Sequence, residues 1–222
     1  VRRLLENGAN TSFVNRIADH AIAIDELVAD PVATVDALAA ATGIPGVAHP
    51  AIALPRDLFG DARVNSAGID LADEQRLAAL ALVLSQDAVR WRAAPLIEGA
   101  ERVASRPRQL CDPADRRNVV GDVHEAGGQD VADALAVAAA GAPEWQATPP
   151  HVRASALLRA ADLMEADIDR LMGLIVQEAG KTFANALGEV REAVDFLRYY
   201  ATQARDELAV GEHVPLGVVV AI

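Results

Sequence analysis

Residues 148–201 read TPPHVRASALLRAADLMEADIDRLMGLIVQEAGKTFANALGEVREAVDFLRYYA, and the spacing of apolar side chains in this stretch decides the fold class. Leu157, Ala161, Met164, Ile168, Leu171 and Ile175 recur at alternating steps of four and three. At 3.6 residues per turn that spacing lays them along one side of a helix. It predicts a long helix with a single buried stripe. Thr148 suits its N-cap with Pro149 at the first helical position, and Gly180 suits the left-handed residue that ends it. Phe183, Leu187, Val190, Val194 and Leu197 repeat the same steps and predict a second long helix ending before Gly211.

Beyond these helices, residues 215–222 read PLGVVVAI. A short unbroken β-branched run predicts a strand covered on both faces, as in a parallel sheet. In open α/β folds ligands sit just past the carboxyl ends of such strands. Working upstream, Val119, Val120 and Val123 around Gly121 predict a short strand before the pair Gly127 and Gly128. Residues 106–115 read as a break, and a helix is predicted over 71–91 with Leu77, Leu80, Leu84 and Trp91 near one side. Residues 41–65 hold Gly43, Pro45, Gly46, Pro50, Pro55 and Gly60, which suit an extended connector. A helical stretch over 12–27 is stopped by Asp30-Pro31, and a short helix before Asn7 is capped by Gly8. The chain opens on Val1 inside an amphipathic pattern and closes on an apolar run, so both ends are expected to cut through secondary structure. The expected fold is a predominantly helical fragment of an α/β protein.

Composition narrows the function. The chain is 52% hydrophobic with a formal net charge of −12, and no basic stripe offers a phosphate clamp, which argues against nucleic-acid binding. No apolar run reaches the length of a membrane span and no signal-peptide pattern opens the sequence, so a cytoplasmic location is expected. The single cysteine, Cys111, cannot form an internal disulfide, and with Asp112 and Asp115 beside it and no adjacent base nothing activates it as a nucleophile. His20, His49, His124, His151 and His213 are scattered without metal-ligand spacing, so no metal site is expected. Lys181 lies in a Gly-Lys-Thr triplet, but the glycine-rich stretch that would make it a phosphate loop is absent.

One constellation has the residue types of a site. Arg2 and Arg3 lie four and three residues before Glu6, so on a helix one carboxylate reaches two guanidinium groups. Spacing alone leaves two readings open: a solvated surface ion pair, or two planar forks converging on a small carboxylate ligand.

The run VRRLLENGANTSFVN at residues 1–15 resembles the final barrel segment of bacterial proline dehydrogenases, which carry an Arg-Arg-x-x-Glu-Asn signature. The resemblance implies that Arg2 and Arg3 bind the carboxylate of proline against a flavin, and that Glu6 balances charge and positions the arginines or the substrate in the same pocket. HPAIALPRDLFG at 49–60 and NSAGIDLA at 65–72 are similar to the segment joining the two catalytic halves of proline utilization A proteins. From about Asp112, the runs DPAD, VVGDV, EAGKT and EVREAVDFLRYYA resemble the start of an aldehyde dehydrogenase domain of the glutamate-semialdehyde type.

The resemblance implies three parts: residues 1–30 as the carboxyl-terminal end of a (β/α)8-type proline dehydrogenase barrel, 31–110 as an interdomain linker with a helix, and 111–222 as the amino-terminal part of a Rossmann-like aldehyde dehydrogenase domain. It implies a bifunctional oxidoreductase of proline catabolism that uses FAD to oxidise L-proline and NAD to oxidise glutamate γ-semialdehyde. The family's nucleophilic cysteine and general-base glutamate have no counterpart here, so the chain alone is expected to catalyse neither step and to bind neither cofactor. An oligomer with peripheral membrane association is expected for the parent. The competing reading is a non-catalytic helical interaction module in which Arg2 and Arg3 are incidental.

Overall fold

The computed structural model describes residues 13–46, 52–85, 90–103, 105–208 and 213–221, and the chain divides into two compact units, Val1–Leu54 and Pro55–Ile222. Arg2, Arg3, Glu6 and the helix expected before Asn7 lie outside the described residues.

In the first unit, the single helix expected over 12–27 is two, α1 (Phe13–Ala18) and α2 (Ile24–Leu27). Asp19 lies between them and its Oδ1 accepts the Ala21 N–H at 2.9 Å, a local bond that competes with the helical ladder. Asp30-Pro31 does more than stop a helix, because it also starts α3 (Pro31–Thr42). Asp30 Oδ1 accepts the Val32 N–H at 2.9 Å, and Pro31 takes the first helical position, where a missing N–H costs nothing.

The second unit begins with two 3-10 turns, Pro55–Asp57 and Gly60–Ala62, and then α4 (Glu74–Ser85). The helix expected to reach residue 91 ends earlier. Trp91 belongs instead to β1 (Trp91–Ala93), followed by the small antiparallel pair β2 (Leu96–Ile97) and β3 (Ala100–Glu101). The expected break at 106–115 contains β4 (Arg108–Cys111), which pairs antiparallel with β5 (Val119–Val123), the strand that the valines predict. Strand β5 is central, with β1 parallel to it on its other side.

After β5 comes a 20-residue helix, α5 (Gly128–Ala147), where the sequence shows paired glycines. The Asp130 carboxylate accepts the Gly127 N–H at 2.8 Å and so fixes the first turn without help from a glycine side chain. Thr148 ends α5 rather than capping the next helix, and α6 (Pro150–Ala166) starts one residue later than expected with Pro149 as its N-cap. The predicted long helix is interrupted at Asp167, between α6 and α7 (Ile168–Ala179). The interruption is a single residue: the Asp167 N–H still donates to the Leu163 carbonyl, and its own carbonyl accepts from Leu171. The apolar stripe therefore continues across it. Gly180 has φ 63° and caps α7 as expected, with an added Cβ falling 2.9 Å from Pro113 Cγ. Thr182 then caps α8 (Phe183–Asp206) by accepting the Asn185 N–H.

The core lies where α4, α6, α7 and α8 meet. Leu80, Ala161, Met172, Ala186, Val190 and Val194 are buried there, and Ile69, Met164, Ile168, Leu171, Ile175, Leu187 and Leu197 pack around them. Fully burying a side chain the size of leucine or methionine contributes about 1.5–3 kcal/mol. These are the two stripes read from the sequence, now facing each other. The strand expected at 215–222 is different. Residues 213–221 form no strand and pair with none among the described residues, Gly217 has φ 92°, and Leu216 is 94% exposed. A buried parallel strand needs a hydrogen-bonded neighbour and cover on both faces; here Val218, Val219 and Val220 line an open cavity with Leu96 and Ile97 of β2 and Leu135 and Ala138 of α5. No helix among the described residues is long and apolar enough to cross a membrane.

Candidate functional site

The densest polar constellation among the described residues runs along one edge of α8, one position past its apolar stripe. Arg191, Asp195 and Arg198 follow Val190, Val194 and Leu197, so each sits where the buried face meets its rim. Arg198 is only 9% exposed, and its Nη2 donates to Glu165 Oε2 at 2.6 Å and to Asp162 Oδ1 at 3.0 Å, both on α6. Burial alone would push the Glu165 carboxyl up, but the Arg198 guanidinium and the Ala67 N–H hold it below its ordinary value. Burial likewise opposes the Arg198 charge, and Glu165 and Asp162 overcome it, so the guanidinium titrates higher than usual.

The same seam holds residues 65–69, which precede α4. Asp195 Oδ1 accepts the Ser66 N–H at 2.7 Å and its Oδ2 accepts the Ser66 hydroxyl at 3.0 Å. Glu165 Oε1 accepts the next amide, that of Ala67, at 2.7 Å, and Arg191 Nε donates to Ser66 Oγ at 3.2 Å. Ser66 is 2% exposed, and every polar bond it makes closes a loop of more than a hundred residues. Arg76 of α4 adds a second tie, donating from both terminal nitrogens to the Asp169 carboxylate of α7. Beside the seam, the Arg63 guanidinium stacks 4.2 Å over the Phe59 ring and 5.5 Å from that of Tyr199, which meets Tyr200 edge to face.

Sequence reasoning passes over this seam, although it leaves a signal: charges at steps of four and three flanking an apolar stripe. The residues that reasoning did single out have ordinary roles. Cys111 is exposed at the end of β4. Lys181 is ion-paired with Glu189, in the second turn of α8. His124 is mostly buried, and its Nδ1 lies 2.8 Å from the Ser105 carbonyl. No group of histidine, cysteine and carboxylate side chains able to hold a metal ion occurs among the described residues.

Two glycine-containing helix starts could be compared with phosphate loops, and neither fits a pyrophosphate. The turn from β5 to α5 carries Gly127 and Gly128 at a helix start, as phosphate loops do, but the Asp130 carboxylate already occupies the Gly127 N–H and would repel an anion. At Gly180-Lys181, the ammonium is engaged by Glu189.

A family model described as the aldehyde dehydrogenase family matches residues 101–222, over half of the sequence. The chain belongs to the aldehyde dehydrogenase family. In this family member, the matched span contains β4, β5 and all four helices from α5 to α8. The likeness to particular proteins extends further. The whole chain is similar to the bifunctional protein PutA of Klebsiella aerogenes, at 55% identity, and spans 17% of that protein's length. Over 121 residues it is 38% identical to 1-pyrroline-5-carboxylate dehydrogenase 2 of Bacillus subtilis, covering 54% of this chain and 23% of the relative. Among solved structures, proline utilization A from Bdellovibrio bacteriovorus superposes with a TM-score of 0.64 at 26% identity, over 92% of this chain and 20% of the other. A variant 1-pyrroline-5-carboxylate dehydrogenase from Thermus thermophilus gives a TM-score of 0.55 at 28% identity, over 76% of this chain and 31% of the other. Since residues 101–222 are little more than half of the chain, that last likeness reaches upstream of the aldehyde dehydrogenase match.

Proposed function

We propose that this chain is the joint of a bifunctional proline-oxidising enzyme, carrying part of the proline site at one end and the opening scaffold of an aldehyde dehydrogenase at the other. The observation that carries the reading is the 55% identity to a bifunctional protein along the entire chain, including the hundred residues before the aldehyde dehydrogenase match. In this reading the whole enzyme converts L-proline to glutamate, first with FAD and then, after ring opening of the first product, with NAD. When bound, those cofactors take up the hydride equivalents; the protein binds and orients the reacting groups.

The residues of this chain have defined tasks in that scheme. Arg2 and Arg3 clamp the proline carboxylate through charge-assisted, bidentate hydrogen bonds, and Glu6 offsets their charge so that two adjacent cations can converge. Residues 101–222 supply a rigid sheet and helix layer rather than reacting groups. The chain by itself is inert in both reactions. The same reading has the parent in the cytoplasm as an oligomer with peripheral contact to a membrane.

The test is proline-dependent dye reduction by the full-length protein carrying Arg2→Met or Arg3→Met. Each substitution is expected to raise the KM for proline at least about tenfold, the loss of a charge-assisted bond of roughly 1.4 kcal/mol or more, while oxidation of the semialdehyde keeps its rate. Unchanged proline kinetics would remove the clamp from the scheme and leave the arginines as a surface pair.

A further inference from the structure

The seam between α6 and α8 has the features of a peptide-recognition site, and its occupant is part of the same chain. Two carboxylates from different helices, Asp195 and Glu165, each accept one of two consecutive backbone amides, Ser66 and Ala67, both at 2.7 Å. The first carboxylate is also bidentate, since its other oxygen takes the Ser66 hydroxyl. The second is braced by Arg198, which is itself nine-tenths buried and has an Nη1 without a protein acceptor among the described residues.

Side-chain demands accompany the backbone contacts. Ser66 is enclosed, and its hydroxyl is matched on one side by an acceptor, Asp195, and on the other by a donor, Arg191. Valine or alanine there would remove the hydroxyl from Asp195 Oδ2 and Arg191 Nε, leaving Asp195 only the backbone N–H. Gly68 has φ +71°, and a Cβ at that position would stand 3.2 Å from Arg191 Nε, so backbone conformation and space both favour glycine. Ile69 then packs, partly buried, against the apolar core. Serine at the first position, glycine at the third and an aliphatic residue at the fourth are what this surface reads, while the exposed second position is held by its backbone amide alone.

We propose that the α6/α8 seam is a specific binding site for a Ser-Ala-Gly-Ile segment that turns at its glycine, filled in cis by residues 66–69, and that this grip fixes where the polypeptide enters the aldehyde dehydrogenase unit. The family match begins at residue 101, yet the segment clamped here lies more than thirty residues before it. The likeness to the Thermus thermophilus enzyme, which reaches upstream of residue 101, agrees with a strap that belongs to the dehydrogenase rather than to a passive linker. The inference rests on family membership and on geometry, and is independent of the chemistry proposed for Arg2 and Arg3.

Amide hydrogen exchange on the whole 222-residue chain tests it. In the wild-type chain the Ser66 and Ala67 amides are expected to exchange at least about a hundredfold more slowly than in an unstructured peptide. Asp195→Ala should speed exchange in residues 64–69 at least about tenfold while α6 and α8 keep their protection, and Asp195→Asn, which retains an acceptor oxygen, should restore part of it. Unprotected strap amides in the wild type would overturn the proposal, as would a variant in which strap and helices lose protection together. Should Asp195→Ala fail to fold, Ser66→Ala decides: an increase of about threefold or more confined to residues 64–69 supports recognition of the hydroxyl, and no change refutes it.

Discussion

Helices α5 and α8 are both long and rich in alanine, yet they sit in the molecule in opposite ways. Helix α8, with 24 residues, buries Ala186, Val190, Val194, Arg198 and Ala201. Helix α5, with 20, buries none of its residues, and Val131, Leu135 and Trp145 are about half exposed. Both form helices, α5 even with Pro143 inside it, so the difference in burial lies in partners: α8 faces α6 and α7 across a continuous stripe, whereas α5 meets only the short strand β2 and the exposed run Val218–220 among the described residues. Helical stability in a protein comes mainly from such tertiary packing. The fold of this chain is therefore decided in the α6 to α8 layer.

The sharpest way to break that contrast is a pair of truncations. Met172→Ala, at a site with no solvent exposure, is expected to destabilise the chain by about 2–5 kcal/mol. Leu135→Ala on α5 is expected to stay within about 0.5 kcal/mol. Urea unfolding of both variants measures the two values, and equal effects would contradict the assignment of stability to the α6 to α8 layer.

A smaller effect is expected at the polar rim. Arg198→Ala leaves the Glu165 and Asp162 carboxylates without their shared cation; as Asp162 is largely exposed and Glu165 partly so, the cost should be about 2 kcal/mol rather than that of a fully buried pair. The same unfolding measurement reads it.

The smallest effect is a pH dependence. Glu165 is held below its ordinary value of 4.5 in the folded chain. A depressed folded-state value stabilises fully above the unfolded value, and the contribution is lost as pH falls through the folded one. Glu165→Gln is expected to flatten the acid limb of the stability curve below about pH 4.5 while leaving its slope near neutral pH unchanged. A wild-type acid limb retained by the variant would show that other carboxylates set it.

How much of this the sequence discloses depends on the range of the interaction. The stripes through Ala161, Met164 and Ile168 and through Leu187, Val190 and Val194 are legible because a helix writes its buried face into its own spacing. The cap at Gly180 is legible for the same reason, being local. Asp30-Pro31 and Gly127-Gly128 are ambiguous, because a residue that ends one element also begins another and only the side-chain bonds of Asp30 and Asp130 distinguish the two. The strap is hidden altogether: Ser66 has no local signature, and its partner Asp195 lies 129 residues away. The PLGVVVAI run misleads because strand formation depends on a neighbour that the run itself does not specify. For the proposed site, Arg2, Arg3 and Glu6 rest on their motif, and the geometry of the described residues adds the scaffold at the other end.

The most direct test of the central claim is to give the purified full-length protein L-proline, NAD and an artificial electron acceptor, and to follow glutamate and NADH together. A single polypeptide that joins both activities through this chain should form glutamate and NADH in equal amounts at the expense of proline. Accumulation of the cyclic imine with no NADH, or no consumption of proline at all, would contradict the account.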